Sequence, residues 1–524
     1  MPIIIKNIKT PITADHAEII SKALKSVKLS KERVVSSGVH KSSLDARKRD
    51  DIHLVSSVVL SLDSGLLEQK LSKLDNVSFY EEAEVTPEIS TLRRDGRVVI
   101  AGFGPAGMFC GLLLAEMGYK PIVLERGADV DSRVKAVEGF WSGGEFDPKT
   151  NVQFGEGGAG TFSDGKLTTR INDPLCGYIL KRLVEMGAPS EILTSAKPHI
   201  GTDKLRAIVK NIRSRIIELG GEVRFNSRLD SLNIKNGYIQ SASHDSHDIQ
   251  TSALVLAIGH SARDTFEYLL NMGVVMEPKA FSVGARIEHL QSRVDESLYG
   301  KYAGHPNLPK GEYQLSYRKG DRAVYTFCMC PGGRVVASSS EENTVVTNGM
   351  SEYSRDGENA NSALVVSVSK DDFGSGVLAG VDFARSLERR AFDISNSYLA
   401  PCQTVGDFMG TASKKTVSPT YKPNTVDADL NWLFPAFVTD MMKEGIVRFS
   451  RQMSCFGDMG ATLTAPETRT SSPVRITRNE ERTALGISNL YPCGEGAGYA
   501  GGIVSAAVDG VKTALAIMKE FAPE

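Results

Sequence analysis

The most constraining stretch of the chain is Arg97-Val-Val-Ile-Ala-Gly-Phe-Gly-Pro-Ala-Gly107. Its apolar, β-branched start reads as a strand buried on both faces. Three glycines follow at once, and Pro105 to Met117 is an Ala/Leu/Gly-rich run of helical character with proline in its first turn. Pro121-Ile-Val-Leu124 is a second buried strand. Strand, helix and strand make one βαβ unit within about 30 residues. A unit of this kind needs a parallel sheet with helices against it, which excludes an all-helical or purely antiparallel fold for this part of the chain.

The glycines fit Gly102-x-Gly104-x-x-Gly107 in the context that gives the pattern meaning. The first permits a tight turn, the second lets main chain approach a pyrophosphate, and the third lets the helix pack on the strand. The helix opening at Pro105 and Ala106 turns its free amides toward the phosphates. Glu125 closes the second strand roughly 20 residues on, where a carboxylate accepts hydrogen bonds from ribose hydroxyls. Arg126 beside it would suit a 2′-phosphate, which Glu125 repels.

Two further glycine clusters stand far from the first. Gly155-Glu-Gly157-Gly158-Ala-Gly160 has the same spacing with no strand before it and no helix after it. It reads either as a loop lying against a flat ligand, with Ser163, Asp164 and Lys166 as polar partners, or as a plain array of turns. Tyr491-Pro-Cys-Gly494-Glu495-Gly-Ala-Gly498-Tyr-Ala-Gly501-Gly502-Ile503 leads into an apolar helix and again presents unpaired amides to something anionic. Glu495 is placed to accept hydrogen bonds from a polyol. One long ligand bridging the first and last clusters explains them better than two nucleotides.

Residues 1–92 form a separate module whose order is β-α-β-β-α-β, a ferredoxin-like pattern. Between its central strands, Lys41 to Asp51 reads as a solvated loop in preference to an RNA or anion patch. The region 270–480 has mixed strand and loop character and no second βαβ signal, and reads as a cap or substrate domain. With 61 Lys+Arg against 63 Asp+Glu, the chain has no global field to gather nucleic acid or anionic lipid. No apolar run reaches the roughly 18 residues of a membrane span, and the start MPIIIKNIKT is no signal peptide. Seven scattered cysteines read as reduced thiols of a cytoplasmic protein.

Together, Gly102 to Gly107 with Glu125, the Ala257-Ile-Gly259-His260-Ser261 segment and the terminal glycine cluster resemble FAD-binding proteins of the glutathione-reductase-like superfamily. More narrowly, Asn151 to Leu167 and Thr326-Phe-Cys-Met-Cys-Pro-Gly-Gly333 look like the family of FAD-dependent, NAD(FAD)-utilising dehydrogenases. The resemblance implies an α/β and α+β multidomain protein. A Rossmann-like FAD-binding domain would span 93–269 and 481–524, with the cap inserted at 270–480 and the ferredoxin-like module ahead of both. Gly102, Gly104 and Gly107 would line the adenosine diphosphate, with Glu125 on its ribose and Arg228 and Leu229 near the adenine. Gly158, Thr161, Ser163 and Asp164 would lie against the isoalloxazine or ribityl chain, and Gly259 beside the pyrophosphate. Glu495 stands where relatives carry Asp. The helix starting near Gly502 and Ile503, after Gly494 and Gly501, would direct its amides at the flavin N1/C2 side, where reduction accumulates negative charge.

The implied activity is hydride transfer through flavin to or from an unidentified small molecule, with NAD(P)H as electron partner. The other reading is a regulatory or RNA-associated protein whose N-terminal module recruits a protein partner and whose FAD is structural or a sensor. No metal site is expected. Catalytic candidates are His260, Lys166, Arg170 and Cys328, with Tyr317, Arg318 and His289 as weaker ones. Cys328-Met-Cys330 is the nearest thing to a redox pair, but an extended Cys-x-Cys is expected to hold its sulfurs on opposite faces, against a disulfide.

Overall fold

The computed structural model describes residues 1–82 and 84–523. The first 80 residues form a four-stranded antiparallel sheet of strands Ile3–Thr10, Val34–Asp45, His53–Leu62 and Val77–Phe79, in the spatial order second, third, first, fourth. Helices His16–Ser26 and Gly65–Leu71 complete the βαββαβ order. Asp15 fixes the start of the first helix, accepting from the Glu18 amide at 2.8 Å while Glu18 accepts from the Asp15 amide at 3.2 Å. Ile3, Ile5, Val58 and Leu60 alternate inward into a small core of their own.

The expected loop at 41–51 is in part strand. Lys41 to Asp45 continue the second strand, whose edge is covered when Ser42 donates to the Thr194 carbonyl (2.7 Å) and accepts from Ala196 (2.9 Å). An uncovered strand edge has unpaired main-chain groups, and this docking satisfies some of them.

Five strands make the parallel sheet, in the order Glu222–Arg224, Ile122–Leu124, Arg97–Ala101, His247–Leu256, Leu490–Pro492. The hairpin Ser231–Lys235 and Tyr238–His244 pairs antiparallel with the first half of the long fourth strand. Side chains alternate between two cores: Val98, Ile100, Val123 and Val255 face helices Pro105–Glu116, Thr202–Glu218 and Ile503–Glu520, while Val99, Ala101, Leu124 and Leu254 face helix Arg263–Asn271.

The remaining region holds a second seven-stranded sheet, in the order Ser316–Lys319, Arg322–Cys330, Asn359–Val368, Phe281–Leu290, Thr462–Glu467, Ala400–Thr404, Thr425–Asp427. It is richer in helix than its sequence was read to be. Helices Gln291–Tyr299, Ala379–Asp393 and Ala436–Ser450 pack on the sheet, the last two burying Leu387, Ala391, Met442, Ile446 and Phe449. The molecule is thus a mixed α/β multidomain protein. No helix among the described residues is long and apolar enough to cross a membrane.

Candidate functional site

Four main-chain segments meet at the C-terminal ends of the parallel strands, where ligands of open α/β sheets bind. Gly102 has a φ of 100°, and a Cβ there would lie 2.3 Å from the Ala257 carbonyl oxygen. A Cβ on Gly107 would sit 2.0 Å from the Gly102 oxygen, so the third glycine lets the helix abut the loop, as its spacing predicts. The 155–160 loop lies on the first: a Cβ on Gly158 would come within 2.9 Å of the Gly104 Cα, and the Gly157 amide donates to the Phe103 carbonyl at 2.9 Å. From the C-terminal cluster, Gly494 abuts Ala106, Gly496 abuts Gly259, and Ile503 packs on Gly160.

At the meeting point the constraint reverses. A Cβ on Gly259 or Gly501 would meet nothing within 4 Å, and one on Gly104 only the Gly158 Cα at 3.7 Å. Helices Pro105–Glu116 and Ile503–Glu520 both begin here on glycine, with no side chain capping either. His260 is 9% exposed, with Nδ1 3.6 Å from the Glu495 carboxylate and Nε2 without a partner. Two uncapped helix ends, glycines opening on free space and an orphaned imidazole nitrogen fit a long phosphate-bearing ligand such as FAD.

Several groups hold the cradle in shape. Glu125 is buried and accepts from the Phe103, Gly127 and Gly155 amides at 2.8, 2.9 and 2.9 Å, which ties the first two glycine loops together and leaves limited capacity for a ribose. Arg126 is held by Asp264 (2.9 Å) and Thr265, and Arg228 by Asp230 and Asp264. Leu229 is buried beside them in the core. The Thr161 hydroxyl donates to the Glu156 carbonyl, and that of Ser163 to Gly160.

Residues that the motif reading did not find are as important. Arg133 is fully buried and donates to the carbonyls of Asn151, Val152, Gly155, Glu156 and Gly158 at 2.6 to 3.2 Å, so one guanidinium moulds the whole second loop. Burial lowers its pKa to about 10. The amides of Gly155, Glu156, Gly157 and Gly158 all have protein acceptors, which makes this loop a rigid wall and not an anion nest. Asp509 accepts from the Gly494 amide at 2.8 Å and pairs with Arg478 and Arg482, which hold its pKa near 2 against the effect of burial.

Asp164 and Lys166 turn away from the cradle into the second sheet. Asp164 forms a two-point ion pair with Arg355, and Lys166 donates to the Met329 carbonyl and lies 3.4 Å from Glu312. Burial would raise the Glu312 pKa, but Lys166, Lys197 and Arg355 bring it down to about 2. Arg170 is exposed. His289 is buried without a partner for either nitrogen. Arg286, wholly buried, makes a two-point pair with Glu467 at 2.8 and 2.9 Å and donates to the Cys328 carbonyl at 2.8 Å.

The expectation for Cys328 and Cys330 is overturned. Residues two apart on a strand share a face. Moreover, the ladder slips by one residue between Phe327 and Cys330, and Cys328 takes a φ of 44°. This bulge turns Cys330 back on Cys328, and its thiol donates to the Cys328 carbonyl at 3.4 Å.

Residues 280–470 match the family model described as FAD-dependent protein, C-terminal domain-like. A Clostridium beijerinckii protein described only as uncharacterised is 47% identical over 530 residues, covering 99% of each chain. Among solved structures, a geranylgeranyl bacteriochlorophyll reductase-like protein of Thermoplasma acidophilum is similar at TM-score 0.37 and 12% identity, over 81% of this chain and 78% of that one. The L-amino acid deaminase of Proteus vulgaris gives 0.35 and 11%, over 84% and 94%. The glycerol-3-phosphate dehydrogenase of Bacillus halodurans, complexed with FAD, gives 0.35 and 9%, over 82% and 66%. Likenesses this distant carry no argument about activity. The match along the whole clostridial chain does show kinship: this protein belongs to one family with it, and its residues 280–470 carry the domain described as that of FAD-dependent proteins.

Proposed function

We propose that the protein is a FAD-dependent oxidoreductase acting on a small molecule, with NAD(P)H as electron partner. The observation that carries this reading is the convergence of four distant segments, with two uncapped helix N-termini, on open space beside His260. Bound FAD supplies hydride acceptance and donation at N5. The chain does the rest. Gly102, Gly104, Pro105, Ala106, Gly107 and Gly259 receive the diphosphate, and Glu125 retains an acceptor site for the ribose. Gly158 walls one side, while Gly494, Glu495, Gly501, Gly502 and Ile503 border the ribityl chain and direct the last helix dipole at developing negative charge. His260, with Glu495 beside it, is the proton-handling group at the cradle, and Arg170 is the candidate to orient an anionic substrate.

In this reading residues 93–269 and 481–524 bind FAD, 270–480 cover the substrate, and 1–92 are a ferredoxin-like module for a protein partner. All seven cysteines are free thiols, which supports a cytoplasmic location. The test is reconstitution. The purified chain is expected to take up FAD and to lose flavin absorbance on anaerobic addition of NADH or NADPH. Failure to retain FAD overturns the reading, and retention without bleaching by either nucleotide overturns the electron partner.

A further inference from the structure

We propose that Cys328 and Cys330 are a redox-active dithiol, closed to an intramolecular disulfide by a low-molecular-weight disulfide. The geometry of the bulge carries the proposal. Along a regular strand two residues advance about 6.6 Å, the upper end of the Cα separation a disulfide tolerates. The left-handed turn at Cys328 folds the chain back from that limit. It also holds a non-glycine residue where few are found. The Cys330 thiol folds back on Cys328 and donates to its carbonyl oxygen at 3.4 Å. Behind them stand Arg286, bonded to the Cys328 carbonyl, and Lys166, bonded to that of Met329.

The surroundings divide the two roles. Cys328 is partly exposed and Cys330 buried. The Cys330 thiol beside it, then the charges of Arg286 and Lys166, lower the Cys328 pKa against the effect of burial and of Glu467. Cys330 and the other five thiols are shifted upward. A low-pKa thiolate beside a protonated partner is the arrangement of an attacking and a resolving cysteine. The Cys328 thiolate attacks one sulfur of the incoming disulfide, whose S–S bond breaks and releases one thiolate. The Cys330 sulfur, giving its proton to solvent, then attacks Cys328 and expels the second. Two protein thiols are oxidised by two electrons, and one external disulfide is reduced to two thiols. None of this depends on the flavin reading.

The test uses the full chain as purified, with oxidised glutathione, followed by alkylation and tryptic cleavage. Cutting after Arg322 and Arg334 frees a peptide whose only cysteines are Cys328 and Cys330. It is expected two hydrogens lighter and without alkyl groups. In Cys330→Ser a stable mixed disulfide should collect on Cys328, and in Cys328→Ser residue 330 should stay unreacted. Without oxidant, wild-type Cys328 should alkylate at pH 7 about tenfold faster than Cys176, the other partly exposed thiol. A wild-type peptide alkylated at both positions after oxidant, or a glutathione adduct that persists unresolved, overturns the proposal, as does equal alkylation of Cys328 and Cys176.

Discussion

In the parallel-sheet half the groups facing the ligand space are helix amides, glycine Cα atoms and the His260 ring. The antiparallel half instead sinks paired charged side chains in its core. Gly102, Gly107 and Gly158 allow main chain to touch main chain, and their surroundings tolerate almost no added atom. Arg286 with Glu467, and Glu388 with Arg469 and with Arg263 from the parallel-sheet half, are each 2% exposed or less, apart from Arg469 at 7%, and each group depends on its own partners for neutralisation. The first half is therefore sensitive to volume and the second to charge.

Removing a charge should give the largest effect. Arg286→Met leaves Glu467 buried with a single remaining hydroxyl donor, Thr347. Breaking a buried pair on one side costs about 3–5 kcal/mol, whereas replacing both partners by apolar residues is often neutral. Urea unfolding should show a loss of that size in the single variant and recovery of most of it in Arg286→Met/Glu467→Leu. A loss below about 1 kcal/mol in the single variant would remove the contrast between the two halves.

The second effect is one of pH. His289 lies among Phe456 (ring centroids 4.8 Å apart) and Tyr313 (6.2 Å), and burial lowers its pKa to about 4 although Asp458 opposes this. Its folded value lies below the unfolded 6.5, so the unfolded chain binds more protons between pH 6.5 and 4. Stability from this group is whole above pH 6.5 and falls as the pH drops through that window, by about 3 kcal/mol in all. Neither ring nitrogen has a partner, so His289→Leu should flatten the acid side of the stability profile at little cost near neutrality. A profile with the same acid slope in both proteins would assign the loss to other groups.

The cradle predicts a dissociation between two neighbouring glycines. Gly107→Ala drives a methyl into the Gly102 oxygen and should destabilise even the flavin-free protein by about 1–3 kcal/mol. Gly104→Ala has room in the empty protein, with 3.7 Å to the nearest atom, so its thermal midpoint should hold while FAD affinity falls about tenfold or more. Equal thermal losses in both, measured without FAD, would mean that Gly104 serves packing alone.

The same contrast explains what could be read from the sequence. A main-chain site leaves a local signature, because Gly102-x-Gly104-x-x-Gly107 and Glu125 sit within one βαβ unit. Its supports do not. Arg133 is an ordinary helical arginine until five carbonyls from 151–158 close on it, and Asp164 meets Arg355 across 191 residues of chain. In the second sheet, strand Asn359–Val368 is buried on both faces and so lacks the alternation that marks a half-exposed strand. Helix Ala379–Asp393 did carry a signal: Val381, Ala384, Leu387, Glu388 and Ala391 recur at helical spacing, with a buried glutamate among them. The bulge that turns Cys330 back on Cys328 leaves no local signal for another reason, since a bulge is set by the register of a partner strand far away.

The smallest effect belongs to the N-terminal module, which has its own core and meets the other two regions through contacts that include Arg49 with the Ser297 carbonyl and Lys181 with Glu82. Asp15→Ala removes one side of the capping box on helix His16–Ser26 and should cost about 1 kcal/mol. Because that helix lies far in the topology from both glycine loops and buried pairs, the loss should appear as faster amide exchange confined to residues 16–26 and the strands they cover. Flavin retention should not change. Exchange that accelerates equally across the parallel sheet would show instead that the module and the cradle unfold as one unit, and that their separate cores do not make them separately stable.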